Sequence, residues 1–119
     1  MLTEAEKKKL ETYFGFARKE HGLAVGMELD ERLAKRQIAL LILTPQGSRR
    51  AHDDLRESCK DSKNIVILDY TGDYPIHISC GYASMKAVGI RDEHLAKPIY
   101  DLLKKDMGET GSLSKEDTQ

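Results

Sequence analysis

The feature that most constrains the fold is an unbroken apolar run of six residues, Ile38-Ala39-Leu40-Leu41-Ile42-Leu43. It is far shorter than the roughly 20 residues of a membrane span, but it has the length of a strand. Because successive side chains of a strand point to opposite faces, a strand that is apolar at every position is covered on both. The run therefore predicts a central strand, buried from both sides.

The first helix is predicted from Glu4 to about Glu20. Thr3 and Glu6 have the spacing of a capping box, in which the hydroxyl and the carboxylate each satisfy a free backbone N–H group. Gly15 lies in mid-helix, where it costs about 1 kcal/mol. We therefore expect another backbone to pack closely against Gly15.

The rest of the chain alternates between strands and helices, which favours an α/β sandwich with a partly parallel sheet. Ser48 is the predicted N-cap of the third helix, and the segment 74–80 has no assigned structure. The other predicted elements are a short strand at Leu23–Val25, a charged second helix, strands at Asn64–Tyr70 and Met85–Ile90, and a last helix around Leu95–Leu103.

Two features concern the C-terminal part of the chain. Pro98 is expected in the first regular turn of the last helix, after an irregular stretch at Glu93–Lys97, because proline inside a helix removes a hydrogen bond. After Lys105 the sequence has four acidic residues, one lysine and no apolar periodicity. Residues 1–105 are therefore predicted to form a single domain, followed by a disordered acidic tail at 106–119.

Composition argues against several broad classes of protein. The N-terminus lacks the apolar segment of a secretory signal, and two cysteines, Cys59 and Cys80, fit a reducing compartment. We expect a cytoplasmic protein with no membrane partner. The net charge of −1 is not the basic footprint of a typical nucleic-acid-binding domain, and no DNA partner is expected. The acidic excess lies in the tail, however, which leaves room for a local basic face.

The sequence has no strong catalytic or metal-binding pattern. His77 and Cys80 are three residues apart, but a structural zinc site needs four ligands and no second pair has ligand spacing. Neither Cys80 nor Cys59 lies in a diagnostic nucleophile motif, and Cys59 is expected to be a buried, inert thiol. There is no glycine-rich phosphate loop. We expect a non-enzymatic protein with no cofactor and no metal.

Gly26 is the residue that points to binding. It immediately precedes the second helix, whose first N–H groups and partial positive charge can meet a phosphate or a base edge. Arg32 lies six residues further on, close to two turns, and can add a contact from the same side. Because helices often begin after glycine without binding anything, this pattern alone leaves a purely structural role open.

Several segments resemble the kink-turn RNA-binding ribosomal-protein superfamily, which includes the archaeal seven-Ae and eukaryotic thirty-e ribosomal proteins and small bacterial relatives. The resemblance is strongest at Gly81–Ile99 and covers roughly Leu10 to Leu103. It implies a three-layer α/β/α sandwich with a four-stranded mixed sheet. The other segments that carry it are Phe14-Gly15-Phe16-Ala17-Arg18-Lys19, Leu23, Gly26, Ala39–Thr44 and Asn64–Asp69.

The resemblance also implies a non-enzymatic protein that recognises structured, kink-turn-like RNA. In that family the start of the second helix reads the sheared G·A pairs of a kink-turn, and the loop before the last strand covers a flipped-out nucleotide. Tyr82 or Met85 would cover that base here. Carried onto this sequence, the RNA-binding residues are Gly26, Met27, Glu28, Leu29, Arg32, Gly81, Tyr82, Ala83, Ser84, Met85 and Lys86.

The RNA motif is divergent in this chain. Family members usually have an Asn-Glu or a Lys-Gln type pair where this sequence has Glu28-Leu29. A carboxylate accepts hydrogen bonds but repels phosphate, and a leucine side chain offers no hydrogen bond. The alternative is a protein-interaction module on the same fold, with RNA binding lost. An acidic start of the second helix favours a protein partner, and a basic one favours RNA.

Overall fold

The computed structural model describes residues 2–108. All the predicted helices and strands are present, although the three longer strands begin later than the sequence predicts. A four-residue helix, Ile76–Ser79, lies in the segment 74–80, for which the sequence predicts no structure. The elements are α1 (Glu4–Lys19), β1 (Leu23–Ala24), α2 (Met27–Ala34), β2 (Leu40–Leu43), α3 (Arg49–Cys59), β3 (Val66–Asp69), α4 (Ile76–Ser79), β4 (Ala87–Ile90) and α5 (Glu93–Asp106).

The strands form one four-stranded mixed sheet in the order β1-β4-β2-β3. β4 is antiparallel to both of its neighbours, β1 and β2, whereas β2 and β3 are parallel. Every residue of β2 is buried. The prediction of a central strand covered on both faces is confirmed.

Two hydrophobic clusters fill the two faces of the sheet. Leu40 and Ile42 of β2 pack with residues of α1, α4 and α5 on one face. Leu41 and Leu43 pack with residues of α2 and α3 on the other. Since alternate residues of a strand face opposite sides, β2 contributes to both clusters. The fold is therefore an α/β/α sandwich with a mixed sheet, as expected.

Both predicted helix caps are confirmed. The hydroxyl of Thr3 accepts from the backbone N–H of Glu6 at 3.1 Å, and the Glu6 carboxylate accepts from the Thr3 N–H at 2.9 Å. At the start of α3, the Ser48 hydroxyl accepts from the N–H of Ala51 at 3.1 Å. These caps fix where α1 and α3 begin.

Two predictions about the helices are wrong. Gly15 is exposed, and a Cβ atom built there meets nothing within 4 Å, so no backbone of the described residues packs against it. Pro98 lies inside α5, which is regular from Glu93 onward. The Asp92 carboxylate accepts from the His94 N–H at 2.8 Å and starts the helix there. The burial of the apolar face of α5 outweighs the one hydrogen bond that Pro98 removes.

The domain extends beyond the predicted boundary at residue 105. Asp106 is the last residue of α5, and Met107 packs against the core. The Asp106 carboxylate accepts from the hydroxyl of Tyr70 and from the N–H of Asp73 at 3.1 Å. Assigning Asp106 to a disordered tail was therefore wrong. The remainder of the predicted tail, 109–119, lies outside the described residues. None of the described helices is long and apolar enough to span a membrane.

Candidate functional site

The start of α2 and the loop before β4 lie at the same end of the sheet. Ala24, at the end of β1, pairs with Gly89 in antiparallel β4. The chain therefore leaves β1 towards the beginning of β4, where the loop 81–86 also arrives. Asp30 of α2 and Lys86 of the loop line one cavity of about 350 Å³. We call residues 26–32 and 81–86 together the α2–loop surface.

The N-terminus of α2 carries backbone donors that no side chain caps. Its N-cap is Gly26, with φ +64°, a region that favours glycine because it lacks a Cβ atom. Among residues 2–108, no side chain caps the first N–H groups of the helix. Met27, the first helical residue, has 86% of its surface exposed. Open amides next to an exposed apolar side chain provide a contact point for a ligand.

The first turns of α2 are acidic. Glu28 and Asp30 lie in the first turn, Glu31 follows, and all three side chains are exposed. Arg32 is held within its own helical segment, because it pairs with Glu28 at 3.4 Å and donates to the Gln37 side chain at 2.8 Å. It is therefore not a free cation at the helix N-terminus.

The loop side of the surface carries three cations, Arg18, Arg50 and Lys86, and one carboxylate, Asp54, which lines the same cavity as Arg50 and Lys86. The Arg18 guanidinium lies against the loop: a Cβ atom on Gly81, where φ is +88°, would be 2.8 Å from Arg18 Nη2. Arg50 lines the same cavity as Lys86. Within residues 2–108, Arg18, Arg50 and Lys86 form no ion pair. The loop backbone is fixed, since the Lys86 carbonyl accepts from the Thr44 N–H at 3.1 Å and lies 3.0 Å from His52 Nε2.

Two of the residues expected to contact RNA are core residues. Leu29 is 0% exposed and faces Gly89, where an added Cβ atom would come within 2.7 Å of Leu29 Cδ1. Met85 is 5% exposed, and its carbonyl accepts from the Thr44 hydroxyl. Both position the surface without lining it. Tyr82, which is 46% exposed, is the loop side chain that can cover a base.

The other predicted residues are placed on the surface, and two further residues join them. Ala83 and Ser84 are exposed in the loop beside Tyr82. The sequence pattern indicates no binding role for Arg18 or Arg50. Arg18 lies in one of the motifs that carry the family resemblance, so the sequence did contain a signal that could have drawn attention to it. Arg50 had none, because only the tertiary fold brings α3 to Lys86.

The two cysteines show no sign of activation. Both are buried and free. Burial raises the pKa of the Cys80 thiol to about 12, partly offset by the charge of Arg18, and burial also raises the pKa of Cys59. A thiol with a raised pKa stays protonated at neutral pH and is a poor nucleophile. Within residues 2–108, no group of three or more His, Cys, Asp or Glu side chains is placed to hold a metal ion.

Comparison with known proteins supports the fold alone. No family model matches the sequence, and no curated protein matches it. Among solved structures, a protein of unknown function from Bacillus halodurans C is similar, with a TM-score of 0.67 and 18% sequence identity. The match covers 81% of this chain and 97% of that chain. At this identity, the likeness shows that the two proteins share a fold.

Proposed function

We propose that this chain is a non-enzymatic, cytoplasmic RNA-binding protein that contacts structured, kink-turn-like RNA through the α2–loop surface. The observation that carries the proposal is that the start of α2 and the loop 81–86, which presents the exposed Tyr82, reach the same end of the sheet, where Asp30 and Lys86 line one cavity. Amides and guanidinium groups bind phosphate, and an aromatic ring stacks on an unpaired base.

The charge distribution favours different tasks for the two sides of the surface. Arg18, Arg50 and Lys86 form no ion pair with described residues, and they would contact the phosphate backbone. Glu28 repels phosphate but accepts hydrogen bonds from base amino groups. The α2 side would therefore face base edges, and the loop side would face the backbone.

A gel mobility shift at moderate salt tests this proposal. We expect a kink-turn RNA to bind more tightly than about 10 μM and more tightly than a duplex of equal length. Lys86→Ala should weaken binding and reduce the slope of log K against log salt by about 1. The matched control is Lys8→Ala, which removes an exposed lysine ten residues before Arg18 on α1, about 15 Å along the helix. If kink-turn, duplex and ribosomal RNAs all bind more weakly than about 10 μM, the proposal fails.

The second candidate function is a protein-interaction module, and the acidity of α2 favours it. Glu28, Asp30 and Glu31 are exposed while Arg32 is paired, so the start of α2 taken alone is negative. Met27 would then be an apolar anchor for a protein partner. A photo-crosslinking amino acid at position 27 in host cells separates the two candidates. Crosslinked species that ribonuclease digests support RNA, and species that resist ribonuclease and yield to protease support a protein partner.

A further inference from the structure

A second cleft lies at the end of the sheet opposite the α2–loop surface. Lys86 and Arg91 flank β4 at its two ends, about 16 Å apart along the strand. Arg91 lines a cavity of about 530 Å³ together with Arg36, Gln37, Asn64 and Glu93. The proposed RNA contact uses none of these residues.

The polar part of this cleft is cationic. Within residues 2–108, Arg36 and Arg91 form neither an ion pair nor a side-chain hydrogen bond. Glu93 supplies one negative charge against the two guanidinium groups. The Gln37 carbonyl oxygen already accepts from Arg32, so its amide group presents N–H donors. Two guanidinium groups and an amide donor match the oxygens of a phosphate group.

Arg36 occupies a backbone position where glycine is usual. α2 ends in a Schellman motif, in which the Arg36 N–H donates to the Leu33 carbonyl at 3.0 Å and the Gln37 N–H to the Arg32 carbonyl at 2.9 Å. Arg36 is the residue with positive φ in this motif, at +58°. Glycine adopts this conformation without strain, so the arginine has a backbone cost that its side chain does not offset through an ion pair or a hydrogen bond with a described residue.

An apolar compartment adjoins the cationic one. Ala39, Asn64 and Glu93 also line a second cavity, of about 300 Å³. Its walls include Val66, which is 48% exposed on edge strand β3, and Tyr100 of α5. The volumes of both compartments lie in the range of small-molecule sites, which combine an apolar wall with a few polar groups.

We propose that this cleft binds a nucleoside monophosphate, with its phosphate at Arg36 and Arg91 and its base against Val66 and Tyr100. The guanidinium groups of one compartment suit a phosphate, and the apolar wall of the other suits a base. Asn64, one of the three residues that line both compartments, offers both a donor and an acceptor to the sugar. This inference is independent of the proposed RNA contact, which lies at the other end of the sheet.

Titration of the full chain with AMP, adenosine and inorganic phosphate, followed by amide NMR shifts, tests the inference. We expect AMP to bind at least tenfold more tightly than either fragment, with shifts at 36–39, 64–66 and 91–93. Arg36→Gly should weaken AMP binding at least tenfold while the Tm stays equal or rises, because glycine suits the positive φ. Lys35→Ala, which removes a neighbouring exposed lysine, should leave the AMP affinity unchanged.

Three results would overturn the inference. The first is inorganic phosphate binding as tightly as AMP, which would reduce the cleft to a simple anion site. The second is AMP affinity that survives both Arg36→Gly and Arg91→Ala, which would place the ligand elsewhere. The third is the absence of shifts at these amides up to about 5 mM AMP, a concentration that would occupy most of a site whose dissociation constant is about 1 mM. The Arg36→Gly variant should bind kink-turn RNA as tightly as the wild type whichever result is found. Failure of the AMP proposal is therefore distinguishable from failure of the RNA proposal.

Discussion

The carboxylate of Glu6 in α1 forms an ion pair with the ammonium group of Lys105 in α5, which joins the first and last helices of the domain. The same carboxylate completes the capping box with Thr3. The Lys105 hydrogen bond, followed by the Thr3 backbone N–H, lowers the pKa of Glu6 from 4.5 to about 2. One side chain therefore both starts α1 and holds it against α5.

The Glu6–Lys105 pair predicts a pH-dependent loss of stability on substitution. Because the folded-state pKa lies below the unfolded value, the charged carboxylate stabilises the fold above about pH 4.5, and this contribution is lost as the pH falls towards 2. Glu6→Gln keeps an acceptor for the Thr3 N–H but removes the charge. Its Tm should be lower than that of the wild type at pH 7, with the difference shrinking towards pH 2.

Thermal melts at several pH values check this prediction. The matched control is Glu4→Gln, which removes the exposed partner of Lys7. An exposed pair contributes between 0 and about 1 kcal/mol, so this control should have little effect. A Tm difference for Glu6→Gln that is as large at pH 2 as at pH 7 would contradict the assigned role of the carboxylate.

Gly15→Ala is predicted to stabilise the protein. Gly15 lies in the interior of α1, and a Cβ atom there meets nothing within 4 Å. The substitution therefore gains helix propensity without a steric cost, and the free energy of unfolding should rise by about 1 kcal/mol. Chemical denaturation measures the change. A lower stability would mean that Gly15 makes a close contact absent from this structure.

Gly89→Ala is predicted to have the opposite effect. A Cβ atom at Gly89 would lie 2.7 Å from Leu29 Cδ1 and 2.8 Å from Ile38 Cδ1. Overpacking of this kind costs about 1–3 kcal/mol of unfolding free energy. Denaturation of this variant beside Gly15→Ala compares the same chemical change at a crowded and an open site. Equal effects of the two substitutions would show that α2 does not pack on β4 as described.

Asp106→Ala is predicted to destabilise the domain although the residue lies at the end of the last helix. It removes the acceptor for the hydroxyl of Tyr70, a side chain that is 1% exposed, and for the N–H of Asp73. Loss of a partner for a buried donor costs about 1–3 kcal/mol. Asp101→Ala, on the exposed face of α5, should change stability by no more than about 0.5 kcal/mol. If the two variants are equally stable, Asp106 does not belong to the domain.

Local patterns made much of the fold predictable from sequence. The apolar run at Ile38–Leu43 identified the central strand because a strand that is buried on both faces needs apolar side chains at successive positions. The caps at Thr3 and Ser48 were predictable because each donor and acceptor lies within three residues. Asp106 was misassigned because the donors that fix it lie more than 30 residues away.

The candidate site was less predictable, because tertiary packing decides which side chains are exposed and which are buried. The family resemblance implies RNA contacts by Leu29 and Met85, whereas both side chains are buried. Helix periodicity alone does not show that Gly89 makes room for Leu29. Arg50 was missed for the corresponding reason, since only the fold brings it to the cavity that Lys86 lines.

Tyr82→Ala is predicted to weaken RNA binding. Stacking of a base on an aromatic side chain contributes about 1–3 kcal/mol, which corresponds to roughly 5-fold to 150-fold in affinity. Since Tyr82 is 46% exposed, its removal should leave the Tm nearly unchanged. Fluorescence anisotropy with labelled kink-turn RNA measures the effect. Tyr82→Phe is the matched control and should retain the affinity, because it keeps the aromatic face.

Mapping the RNA contact by backbone amide NMR shifts tests the central claim most directly. On addition of kink-turn RNA, we predict that the largest shifts fall at residues 26–28 and 81–86, with smaller shifts at Arg18 and Arg50. Shifts confined to the opposite end of the sheet, around Arg36 and Arg91, would contradict the assignment of RNA binding to the α2–loop surface.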